Sequence, residues 1–150
     1  AKQVEESIQA DFDWLPVSKL VVVENTCNKG GGAVYDIEEL RKIAQICKSK
    51  GLKLHLDGAR IWNAHVASGV AFNEYGKYFD TISVCLSKGL GAPIGSVMLS
   101  TKERVAKARV WRKRYGAGMR QVSLEPRRAS YSVLLLCFFW SMRRGRTKGG

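Results

Sequence analysis

Long apolar runs are missing from this chain of 150 residues: the longest, Val133 to Trp140, has eight. A membrane-spanning helix needs about 20, so no spanning segment is expected. Ala1 to Asp13 is polar and acidic, which is not the basic-then-apolar order of an export signal. The four cysteines, Cys27, Cys47, Cys85 and Cys137, stand far apart, with no Cys-x-x-Cys pair and no nearby histidine. That spacing argues against a zinc site and a disulfide framework, and suits reduced, buried thiols of a cytoplasmic protein. No internal repeat or low-complexity stretch is present. The chain opens on Ala1 without an initiator methionine, as expected of a fragment or a processed piece.

Acidic side chains almost vanish after residue 100. Residues 1–100 hold 11 basic and 11 acidic side chains, while residues 101–150 hold 14 basic ones against only Glu103 and Glu125. The net charge of +12 thus belongs to the last third alone, and it carries no message about the fold. Lys102, Arg104, Lys107, Arg109, Arg112, Lys113 and Arg114 would be spread round a helix, which suits solvation better than reading a nucleic-acid groove. Neither a nucleic acid nor a membrane is expected as a partner. With 45% apolar and 25% charged residues, the composition is that of a globular domain.

Periodicity then divides the first part of the chain. Lys19 to Val23 is a β-branched run that reads as a strand, and Lys29 to Gly32 as a flexible loop. Asp36 is placed to cap a helix, with Glu39 as its capping-box partner. Ile37, Leu40, Ile43, Ala44 and Cys47 follow at helical spacing, and Gly51 stops the helix. Leu52, Leu54 and Leu56 alternate with Lys53, His55 and Asp57 as a second strand. A short helix is expected over Ile61 to Ser68, strands over Thr81 to Leu86 and Ile94 to Leu99, and a basic helix from Thr101 to about Tyr115. This order predicts an α/β domain with a mainly parallel sheet. The link between the last two strands is too short for a crossover helix, so they are antiparallel or not neighbours.

In open α/β sheets ligands sit outside the carboxyl ends of the strands. Asp57 ends the second strand, Lys88 follows the third, and Asn25 and Thr26 end the first. Bland roles stay open for each. Asp57 could cap the next helix or pair with Arg60, and Lys88 could be a solvated loop charge. His55, on the strand face of Asp57, is expected to be a hydrogen-bonded core residue. Ser87 could donate to an anion or merely shape its turn. The glycines at 30–32 lack the spacing of a phosphate loop.

Four segments, taken in order, resemble one family. They are Glu24-Asn25-Thr26; Leu54-His55-Leu56-Asp57-Gly58-Ala59-Arg60 with Trp62-Asn63-Ala64; Cys85-Leu86-Ser87-Lys88-Gly89-Leu90-Gly91-Ala92-Pro93-Ile94-Gly95-Ser96; and Gly116-Ala117-Gly118-Met119-Arg120-Gln121. The stretch from about Leu20 to Gln121 resembles the low-specificity L-threonine aldolases, enzymes that use pyridoxal 5'-phosphate (PLP). The resemblance implies part of the large PLP-binding domain of the aspartate-aminotransferase-like fold, incomplete here. It implies that Lys88 holds PLP covalently, Asp57 faces the pyridine nitrogen, Arg60 binds the substrate carboxylate and Arg120 the phosphate; Ser87, beside Lys88, could donate to that phosphate or merely shape the turn. Ala117 stands where the family usually has the middle of three glycines.

The implied reaction is retro-aldol cleavage of L-threonine or L-allo-threonine to glycine and acetaldehyde. Breaking the Cα–Cβ bond leaves a carbanion that the conjugated cofactor absorbs, and an anionic Asp57 keeps its ring nitrogen protonated. Lys88 must lose its proton to act as a nucleophile, which partial burial and a nearby cation favour. The planar fork of Arg60 matches a carboxylate at two points. Competing expectations are another PLP-dependent β-eliminating lyase and a non-catalytic fragment. The family also implies a homo-oligomer with shared active sites.

Two features depart from the family. Its phosphate loop, the side chain stacked on the PLP ring and the arginine of its small domain have no match, so the chain alone is expected to be weak or inactive. From Val122 onward the pattern stops. Residues 1–121 then read as a partial large domain and residues 122–150 as an atypical basic and hydrophobic tail. That tail is a divergent terminal element, a surface-binding tail or a segment translated out of frame.

Overall fold

The computed structural model describes residues 1–10 and 12–118. Arg120 and the tail at 122–150 lie outside the described residues. Nine elements run in the order α1 (Lys2–Ser7), β1 (Leu20–Glu24), α2 (Ile37–Ser49), β2 (Lys53–Gly58), α3 (Ile61–Ser68), α4 (Phe72–Tyr75), β3 (Thr81–Cys85), β4 (Ser96–Leu99) and α5 (Lys102–Arg114) among the described residues. The four strands lie in one sheet, in the order of their sequence. β1, β2 and β3 are parallel, and β4 returns antiparallel to β3. The short connection from β3 to β4 permits only that return.

Period-two alternation sorts the strand residues between two faces. Val23, Leu54, Leu56 and Val84 are buried and pack with Leu40, Ile43 and Cys47 of α2 and Ile61, Trp62 and Ala64 of α3. Each buried aliphatic side chain of this kind is worth about 1.5–3 kcal/mol, so this face is what fixes strand register. The opposite face carries Val22, Glu24, His55, Asp57, Thr81, Ser83 and Met98. It is left half-open: Val22 is 57% and Met98 38% exposed.

The capping box expected at α2 forms only in part. Asp36 caps the helix, but its carboxylate accepts from the Glu38 N–H at 2.8 Å. Glu39 turns outward to the Ala1 ammonium and to Lys42, both stronger partners for a carboxylate than a backbone amide. These two cations hold its carboxyl below the usual range, Lys42 chiefly. α5 buries no residue, as expected of a solvated basic helix. Cys27, Cys47 and Cys85 are free thiols, although only Cys47 is buried and the other two are partly covered.

At the amino end of the sheet one carboxylate gathers several donors. Asp80 accepts from the Leu54 N–H at 3.0 Å and from Arg104 at 2.9 Å, and Lys53 lies 3.5 Å away. Burial alone would raise the Asp80 carboxyl, but the Leu54 N–H and the two cations outweigh it and hold it below the usual range. This cluster ties α5 to the sheet, at the end remote from Asp57 and Lys88.

Candidate active site

Parallel pairing of β1, β2 and β3 brings their carboxyl ends to one edge. Asn25 directly follows β1, Asp57 is the penultimate residue of β2, and Lys88 lies three residues beyond β3. In the register, Glu24 pairs with Asp57 and Asp57 with Ser83. The strand-end residues singled out in the sequence therefore share one edge of one sheet.

Asp57 neither caps α3 nor pairs with Arg60. The N-cap of α3 is Arg60 itself, without a side-chain cap. One oxygen of Asp57, Oδ1, accepts from the Ala59 N–H at 3.0 Å, a local turn bond available to a short acid. Its other oxygen has no hydrogen-bond or ion-pair partner among the described residues and can accept from a ring N–H. The guanidinium of Arg60 goes instead to Glu24, with Nη1 3.7 Å from Oε1 and both side chains about one-third exposed (31% and 33%).

Glycine is required immediately after Asp57. A Cβ on Gly58 would lie 2.8 Å from the Ser83 carbonyl oxygen and 3.3 Å from the Ile61 Cβ. Gly89 is less crowded: a Cβ there would lie 3.0 Å from the Asn63 Oδ1, a side-chain tip, and 3.6 Å from the Trp62 Cβ. The loop that follows Lys88 thus rests on the first turn of α3. Trp62 adds a second tie, its indole N–H donating to the Cys85 carbonyl at 3.0 Å.

In the sequence, Trp62 is marked only by its place in a matching segment. Its only local signal was an indole in a short apolar helix, where a buried N–H needs an acceptor. Arg60, Trp62 and Asn63, at the start of α3, connect the Arg60–Glu24 pair with the loop of Lys88.

Lys88 and Ser87 are exposed, which corrects the expected partial burial of the lysine. The loop turns outward, closed by the Gly91 N–H to the Lys88 carbonyl at 2.9 Å, and a side chain at Gly91 would meet open space. Asn25 behaves differently. It is fully buried, its Oδ1 accepts from the Tyr35 N–H at 3.3 Å, and its Nδ2 has no partner. It is the one such orphaned atom among the described residues, in a position that ordinarily costs about 1–3 kcal/mol unless an acceptor is supplied. His55 bonds to Thr81 at 2.6 Å and approaches Ser83 at 3.5 Å; it is hydrogen-bonded as expected, but it is half-buried on the open face and not in the core.

A mainly parallel sheet brings an acid, an arginine and a lysine to its carboxyl edge, and its solved structural neighbours, threonine aldolases, give it the aspartate-aminotransferase-like fold. A Listeria monocytogenes protein assigned as an L-allo-threonine aldolase superposes with a TM-score of 0.64 at 35% identity, over 69% of this chain and 28% of that one. Low-specificity L-threonine aldolases of Candida albicans and Saccharomyces cerevisiae are 44% and 48% identical over 116 residues, 77% of this chain. The chain spans 30% and 29% of the length of these two relatives. The model of the beta-eliminating lyase family matches residues 1–132, on both sides of the span read from sequence motifs. The chain belongs to the beta-eliminating lyase family.

Proposed function

We propose that this chain is the core of the large domain of a PLP-dependent aldehyde-lyase, which cleaves L-threonine or L-allo-threonine to glycine and acetaldehyde. The observation that carries the reading is the shared sheet edge of Asn25, Asp57, Arg60 and Lys88, each left with polar capacity that the described residues do not use. The resemblance to named threonine aldolases supplies the substrate class.

The residues present fit PLP. The open oxygen of Asp57 suits a protonated ring nitrogen, and the orphaned Nδ2 of Asn25 suits an oxygen acceptor. Lys88 supplies the amine that holds the cofactor, and Ser87 and Arg120 are assigned to its phosphate. When bound, PLP supplies the electron sink for the charge left on Cα. Asp57, as an anion, holds the proton on the ring nitrogen. Arg60 clamps the substrate carboxylate and so orients the bond to be broken.

The chain alone is weak or inactive on this reading, because an exposed Lys88 and an open sheet face provide neither desolvation nor a closed pocket. Completion by further chain and by a second subunit, in the cytoplasm, belongs to the same proposal. The family description favours a second reading, β-elimination, because it names that chemistry. Incubation with PLP and L-threonine separates the two by products. Any turnover should release glycine and acetaldehyde and vanish in Lys88→Ala. Formation of 2-oxobutanoate and ammonia would transfer the chain to β-elimination, and rapid cleavage by the 150-residue chain would refute its incompleteness.

A further inference from the structure

Arg60 pairs with the site carboxylate more distant in sequence, Glu24. Asp57 lies three residues before Arg60, while Glu24 lies on the neighbouring strand in direct register with Asp57. The ion pair forms with Glu24, and none reaches Asp57 among the described residues. Chain length and local bonding account for that choice. Asp57 is short and is drawn back by the Ala59 N–H, whereas Glu24 is one methylene longer and reaches past the sheet edge to where α3 begins.

We propose that Glu24 is a positioning residue: it holds Arg60 away from Asp57, leaving Asp57 free for a cationic ring nitrogen and Arg60 directed at a substrate carboxylate. The proposal rests on the PLP reading for its ligands, but the pair itself does not. As a source of stability the contact is minor, since half-exposed pairs contribute about 0–1 kcal/mol. Its effect is geometric. Glu24 occupies a single Nη1, at 3.7 Å. The remaining N–H donors of the guanidinium have no partner among the described residues and are free for a second, two-point carboxylate. Without Glu24, this proposal turns Arg60 to Asp57, three residues before it, and a pair between them would consume both groups at once.

The test observes the Arg60 side-chain Nε–H by NMR in the ¹⁵N-arginine-labelled 150-residue chain, assigned by its loss in Arg60→Lys. Glu24→Gln should shift this resonance, whereas Asp57→Asn should leave it in place. In the Glu24→Gln background, Asp57→Asn should now shift it, because Arg60 has moved to Asp57. Glu24→Asp, which keeps the charge on a shorter stem, should restore most of the wild-type position and serves as the measurement should Glu24→Gln not fold. A merely structural role for Glu24 would show no such switch of dependence from one acid to the other. A response to Asp57→Asn in the wild-type chain, or none to loss of the Glu24 charge, would overturn the proposal. So would silence of Asp57→Asn in the Glu24→Gln background. Failure of PLP to attach to Lys88 with this arginine pattern intact would end the cofactor reading and leave the pair standing.

Discussion

Adding one methyl group at Gly58 tests the geometry that presents Asp57. The new Cβ would lie 2.8 Å from the Ser83 carbonyl oxygen and 3.3 Å from the Ile61 Cβ. The first contact is backbone of the adjacent strand and the second is the first helical residue of α3, so no flexible side-chain tip can yield. Relief requires β2 and β3 to separate, or α3 to lift from the sheet, within one residue of Asp57. Overpacking of this kind costs about 1–3 kcal/mol, and the reduced freedom of the unfolded chain returns about 0.4–1 kcal/mol. The net expectation for Gly58→Ala is a loss of about 1–2 kcal/mol, or a fall in Tm of about 4–10 °C for a domain of this size. Urea and thermal unfolding of the two chains would measure it. A difference below about 0.5 kcal/mol, which is ordinary for a surface substitution, would refute the claim that close strand passage fixes the position of Asp57.

Other outcomes follow from the same contacts. Trp62→Phe keeps the ring but strands the Cys85 carbonyl now served at 3.0 Å; it should cost about 1–2 kcal/mol and lower the reactivity of Lys88 toward PLP, read against that of a remote surface lysine. Asp80 has a depressed carboxyl pKa, so its contribution to stability is present above the unfolded value of about 3.9 and is lost as pH falls through the lower folded value. Asp80→Asn should therefore remove about 1 kcal/mol at neutral pH and flatten the acid limb of a stability-against-pH curve below about pH 4. An unchanged acid limb would show that the cluster with Arg104 and Lys53 is not coupled to folding.

What the sequence made legible was local in origin. Leu52, Leu54 and Leu56 reveal β2 because alternation is a property of neighbouring residues, and Asp57 and Lys88 stand out because each lies close to the carboxyl end of a strand. The helix face of Leu40, Ile43 and Cys47 was readable for the same reason. What escaped depends on partners far along the chain. The pairing of Arg60 with Glu24 follows from strand register, and that of Trp62 with Cys85 spans 23 residues. Glu39 is drawn out of the expected capping box by Lys42 on its own helix and by the Ala1 amine, 38 residues away. α1 and α4 are short, of six and four residues, too brief for a periodicity to register. The exposure of Lys88 was misjudged because burial of a loop lysine depends on what packs over it, not on its own neighbours in sequence.

The central claim is that this sheet edge would hold PLP through Lys88, with Asp57 as the partner of its ring nitrogen. Incubation of the 150-residue chain with PLP, reduction with borohydride and peptide mapping addresses it directly. The account predicts a label concentrated on Lys88, lost in Lys88→Ala and reduced in Asp57→Asn. A label scattered over surface lysines such as Lys29, Lys50 and Lys102, with Lys88 no more modified than they are, would contradict it.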